Sequence, residues 1–135
     1  MDMIRQMDMS YSYKPVLIKA ILLYADDKGR IKLDDIVAYF RSFYEGRRGM
    51  GLPDEKKNSI FAKGGYTDKE AKRNILANPF RRFEDMQMLR HTKTLGIIQM
   101  DEAVWKKLAN EEKAEMDQIC GRKLTEYFAK LKTKS

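Results

Sequence analysis

The sharpest chemical pattern in this chain is Pro53-Asp54 followed by Glu70-Ala71-Lys72. An aspartate, a glutamate and a nearby lysine are what a Mg²⁺-dependent nuclease needs: two carboxylates to hold the ion and an amine to steady the attacking water. Such enzymes carry the Glu-x-Lys on a strand. Here Thr67-Asp68-Lys69-Glu70 reads as a capping box, so Glu70 is expected to bond back onto a helix start. A short motif without its structural setting carries little weight. A zinc site is excluded more simply, because Cys120 and His91 are the only cysteine and histidine, short of the three or four ligands zinc takes. Cys120 falls on an apolar helical stripe and is expected to be a buried, inert thiol. His91 is expected to be an exposed hairpin residue. The acidic pairs Asp26-Asp27, Asp34-Asp35 and Glu84-Asp85 suit a turn, a helix start and a solvated helical face. The glycines Gly46, Gly49, Gly51, Gly64 and Gly65 match no phosphate-binding fingerprint. These residues therefore imply no catalytic group, no metal and no cofactor.

Charge is the remaining chemical signal, and it is unevenly placed. The net charge is +7. Residues 1–45 hold seven basic and seven acidic side chains, and residues 94–135 hold eight and seven. Residues 46–93 hold twelve and six, net +6. A basic middle third is the footprint expected for a polyanion partner. Its candidate contacts are Arg47, Arg48, Lys69, Lys72, Arg73, Arg81, Arg82, Arg90 and Lys93. Arg81 and Arg82 follow Asn78-Pro79, where a helix start favours phosphate.

The elements that must position these groups follow from periodicity. A helix is expected from about Lys14 to Ala25, with Pro15 in its first turn. It is apolar nearly all round and so should be central. Asp26-Asp27-Lys28-Gly29 turns into a short extended piece, Arg30 to Leu33. Asp34 is then placed to cap a helix from about Asp35 to Glu45, with the stripe Ile36, Val37, Phe40, Phe43 and Tyr44. From Gly46 to Tyr66 the pattern stops, giving a long basic loop expected to be mobile apart from Ile60 and Phe61. The capping box starts a third helix, which Asn78-Pro79 breaks or restarts. Met88 to Arg90 and Gly96 to Met100 read as a β-hairpin around His91-Thr92-Lys93-Thr94-Leu95. Asp101 and Asn110 are candidate caps for two further helices. The last carries Met116, Ile119, Cys120, Leu124, Tyr127, Phe128 and Leu131 at steps of three and four.

A chain of 135 residues has the size of one domain, able to bury about 65–70% of its unfolded surface. Residues 1–11 are expected to be a flexible N-terminus and 12–135 one domain. No apolar run approaches the ~18 residues of a membrane span. A single cysteine suits a reducing, cytoplasmic setting. The order helix, short strand, helix, helix, hairpin is that of a winged helix-turn-helix with added C-terminal helices, a mainly α fold. There the helix before the hairpin usually enters the major groove of DNA. The same fold also serves protein contacts, so it does not by itself license DNA binding.

Ser12-Tyr13-Lys14-Pro15, Asn58-Ser59-Ile60-Phe61, Asn78-Pro79-Phe80-Arg81-Arg82-Phe83-Glu84 and Leu95-Gly96-Ile97-Ile98 with Trp105 occur together. In this combination the chain resembles a winged-helix-like accessory domain of bacterial restriction and defence proteins, often attached to superfamily-2 helicases or nuclease-linked chains. The likeness covers most of residues 12–130, and its motifs are structural. It implies a DNA-handling context, with the catalytic engine in a helicase or nuclease partner or parent chain. The expectation is a non-catalytic DNA-binding or DNA-positioning module, on double-stranded DNA. The alternative is a protein-interaction or dimerisation module of the same fold.

Overall fold

The computed structural model describes residues 2–134, which form a mainly helical fold with a small three-stranded antiparallel sheet. At its centre is α2 (Tyr13–Tyr24), whose Val16, Leu17, Ile18, Ala20 and Ile21 have no exposed surface. Apolar residues on nearly every side bury this helix under its neighbours, and only its last turn, Leu23 and Tyr24, is exposed. Against it pack α3 (Leu33–Gly49) and the long α8 (Asn110–Lys134). The α8 stripe behaves as its spacing predicts: Met116, Ile119, Cys120, Leu124, Tyr127 and Phe128 are buried.

Helix α5 (Asp68–Ala77) begins at the capping box, with the Thr67 hydroxyl accepting from Glu70 N–H and Glu70 accepting from Thr67 N–H. It stops where Pro79 denies Asn78 a helical conformation, and α6 (Pro79–Asp85) follows at a new angle. The hairpin is β2 (Leu89–Thr92) and β3 (Ile97–Met100), while β1 (Arg30–Lys32) pairs with the other edge of β3. The strand order is β1-β3-β2. Leu89, Ile98, Met100 and Ile31 face the core. In the turn before β1, Gly29 has φ +78°, and a Cβ there would lie 2.9 Å from Cγ of Trp105 on α7 (Glu102–Lys107). Both conditions require glycine.

Several expectations change. In the N-terminal segment expected to be flexible, α1 (Asp2–Arg5) carries the buried Ile4, Met7 after it is also buried, and Arg5 pairs with Glu115 at 2.6 Å. Helix α3 starts earlier and ends later than its stripe suggests. Asp34 lies inside the first turn, where a carboxylate suits the helix dipole, and does not act as the cap. At the start of α8 it is Glu112 that accepts from Ala109 N–H, with Asn110 already helical. Asp101 caps α7 as expected, accepting from Val104 N–H.

The 46–66 segment is the largest departure. Its end folds into α4 (Ile60–Lys63), and its middle is fastened by a buried carboxylate, Glu55, only 6% exposed. One Glu55 oxygen accepts from Ser12 N–H at 2.9 Å and from the Ser12 hydroxyl at 2.5 Å; the other accepts from Lys56 N–H and from the Tyr127 hydroxyl. Ser12 Oγ also meets the Tyr44 hydroxyl at 2.6 Å, and Tyr13 meets Ser59. Glu55 thus joins the loop to the start of α2 and to α8, and Ser12 carries the link on to Tyr44 of α3. Four donors on two oxygens meet the demand of a buried polar group for partners.

Candidate nucleic-acid interface

The nine basic candidates fall into four places. On α5, Ala71 and Ile75 are buried, which turns Lys69 and Arg73, one helical turn apart, to solvent. Lys72 is half-buried and pairs with Asp34 at 2.6 Å. It braces α5 against α3.

On α6, burial of Pro79, Phe80 and Phe83 leaves Arg81 and Arg82 on the exposed side. Both open into a cleft of about 470 Å³ between the α5–α6 break and the 8–14 segment. The cleft adds a third cation that sequence reasoning missed, Lys14, whose Nζ donates to the Asp8 carbonyl at 2.9 Å. Asp8 and Asp85 also line it, so its excess is one positive charge. Among the described residues, no carboxylate forms an ion pair with Arg81 or Arg82. Only the fold brings Lys14 here, from more than sixty residues away in the chain, and no local pattern signals it.

On the hairpin, Arg90 is exposed and donates to the Gln99 amide oxygen at 3.3 Å, and Lys93 is exposed at the tip. His91, expected to be exposed, is half-buried with its ring 6.0 Å from Phe80 in an edge-on contact. Register explains this: His91 pairs with buried Ile98 and so shares the inner face.

Arg47 and Arg48 sit differently from the rest of the candidate set. The Arg47 guanidinium carbon lies 3.6 Å from the Phe128 ring centroid, and its Nε donates to the Pro53 carbonyl at 2.6 Å. Burial lowers the pKa of Arg47. Arg48 pairs with Asp54 at 3.0 Å and donates to the carbonyls of Phe61 and Ala62. Lys56 reaches the Ser10 carbonyl and the face of Tyr11. Much of the basic surplus in the 46–66 segment therefore holds that segment to the domain.

The nuclease-like residues are engaged separately: Asp54 with Arg48, Glu70 with its own helix cap, and Lys72 with Asp34. The Thr67 amide and hydroxyl bonds hold the Glu70 carboxyl below its ordinary value. No group of three or more His, Cys, Asp or Glu side chains is arranged to hold a metal among the described residues. Burial pushes the Cys120 thiol up to about 12, which suppresses thiolate at neutral pH. Among the described residues no helix is long and apolar enough to cross a membrane.

No protein-family model, no curated protein and no solved structure matches the chain.

Proposed function

We propose that this chain is a non-catalytic nucleic-acid-binding module of winged helix-turn-helix type, acting on duplex DNA through its phosphates. The observation that carries the reading is the pair Arg81 and Arg82, exposed and without an ion pair among the described residues, on the helix immediately before the hairpin. The element order supports it: α2, β1, α3, then α5–α6, then the hairpin, with β1 paired to β3. In winged helices the helix before the hairpin enters the major groove and the hairpin tip reaches the backbone. Arginine suits this task because its planar donors grip phosphate oxygens in pairs. Lys14, Lys69, Arg73, Arg90 and Lys93 extend the contact, whereas Arg47 and Arg48 belong to the scaffold. The resemblance to accessory domains of restriction and helicase systems gives the same direction, with strand cleavage or unwinding left to a partner or parent chain.

The test is affinity for a short DNA duplex across a series of salt concentrations. Each phosphate neutralised contributes about 0.9 to the fall of log K with log salt. Replacing Arg81 and Arg82 by alanine should weaken binding on every sequence and flatten the slope by up to about 2 units. Wild-type protein with no salt-dependent affinity for nucleic acid overturns the reading and moves the fold to protein contacts.

A further inference from the structure

The solvent side of the small sheet carries a second concentration of charge. Side chains alternate faces along a strand. With Ile31, Ile98, Leu89 and Met100 turned inward, the register places Arg30, Gln99 and Arg90 side by side on the outer face. Lys32, Ile97 and Thr92 form the next row. Paired strands lie about 4.8 Å apart, so Arg30 and Arg90 flank Gln99 at a backbone separation of roughly 10 Å. These six outward residues include three cations and no carboxylate.

Carboxylates do lie near the sheet ends, but most are engaged. Asp26 holds Arg30 at 2.9 Å and accepts from the Lys28 and Arg30 amides, Asp34 holds Lys72, and Glu102 holds Lys106. Asp27 and Asp35 are exposed at the two ends of β1, outside the rows. Lys32, Arg90 and Lys93 thus have no ion pair among the described residues. Arg90 is steadied by Gln99, whose own amide nitrogen donates to the Lys28 carbonyl at 3.4 Å. A solvated face needs polarity, not an excess of charge of one sign, and like charges facing each other across β3 repel. Ile97 is the only apolar member, and no aromatic ring is present on which a base could stack. A ligand here would be recognised by charge alone.

We propose that the outer face of the sheet is a phosphate-backbone contact surface, in which Lys32 and Arg90 beside Gln99, continued by Lys93 at the hairpin tip, track a nucleic-acid strand without reading its bases. The proposal rests on the nucleic-acid reading above and adds to it a surface that includes β1. Arg90 keeps donors free beyond its Gln99 bond, enough for a paired grip on one phosphate. Lys32 and Lys93 act as point charges.

The experiment uses the full chain and the same duplex and salt series. The double variant Lys32→Gln, Arg90→Gln should flatten the salt slope by about 2 units, equally on unrelated sequences, and add to the effect of the Arg81→Ala, Arg82→Ala pair. Thr92→Glu, which places a negative charge on the same face, should weaken binding without touching a cation. Thermal melting of each variant confirms that it is folded. An unchanged slope in the glutamine variant, with Thr92→Glu binding as wild type, overturns the sheet surface while a reduced slope in the Arg81–Arg82 variant leaves the module's function standing. Absence of salt-dependent binding in the wild type overturns both.

Discussion

Arg47 rests on the Phe128 ring and the Pro53 carbonyl, while Arg81 faces an open cleft with no ion pair among the described residues. Both arginines stand in the basic middle third, and both read from the sequence as candidate phosphate contacts. What separates them is the partner that the fold supplies. Arg47→Ala should therefore cost about 1–2 kcal/mol in a urea melt, from the lost ring contact and carbonyl bond, and leave the salt slope of DNA binding unchanged. Arg81→Ala should do the reverse, because exposed arginines add little to folding. Equal effects of the two on binding would return Arg47 to the interface. Glu55 shows the opposite kind of illegibility. Acidic residues inside a basic loop read as solvated, yet this one accepts four hydrogen bonds in the interior. Glu55→Ala leaves the Ser12 and Tyr127 donors without their acceptor and should cost more than about 2 kcal/mol. A loss near zero would mean that water replaces the carboxylate.

Elements were legible where their own residues determine them. The Thr67–Glu70 capping box, the break at Pro79 and the α8 stripe follow from local spacing and stand where it places them, and the hairpin forms with β2 running two residues further, through Thr92, than its spacing suggests. The 46–66 segment was not legible, because its order comes from Ser12, Tyr13, Tyr44 and Tyr127, all distant in the chain. Two consequences can be measured. Thr67→Ala should cost about 1 kcal/mol through the lost cap, with no effect on DNA affinity. The 53–63 segment should resist limited proteolysis in the wild type and become an early cleavage site in Glu55→Ala, as local opening sets susceptibility. Early cleavage of wild-type protein within 53–63 would show that the buried carboxylate does not fasten it. The basic cleft lies between these cases: Arg81 and Arg82 were readable from the α6 pattern, whereas Lys14 joins them only through the packing of the 8–14 segment.

At the scale of the molecule, ionisable groups of two kinds set how stability depends on pH. Asp26, Glu70 and Glu102 have lowered pKa values: backbone amides hold Asp26 and Glu70, and Lys106 holds Glu102. Their contribution is present above the unfolded values of 3.8 and 4.5 and is lost as pH falls through the folded ones. These carboxylates are exposed, so the acid limb should be gentle. Tyr13, Tyr44 and Tyr127 are raised above 10.0, first by burial, with the Glu55 charge raising each further. The Ser12 and Ser59 hydroxyls oppose this at Tyr44 and Tyr13 without reversing it. A raised phenol favours the fold fully below its unfolded value, and that contribution is lost as pH climbs toward the folded one. Between those limits the unfolded chain gives up protons that the folded chain keeps. The alkaline limb should therefore be the steeper of the two, beginning near 9.0 with the buried Cys120 thiol and steepening from 10.0 as the tyrosines join it. Urea melts taken across the pH range should show it, and Tyr127→Phe should make that limb shallower by removing one of the protons the folded chain retains. A profile that stays flat to about pH 11, or an alkaline slope unchanged in Tyr127→Phe, would show that these hydroxyls are not held protonated by the interior around Glu55.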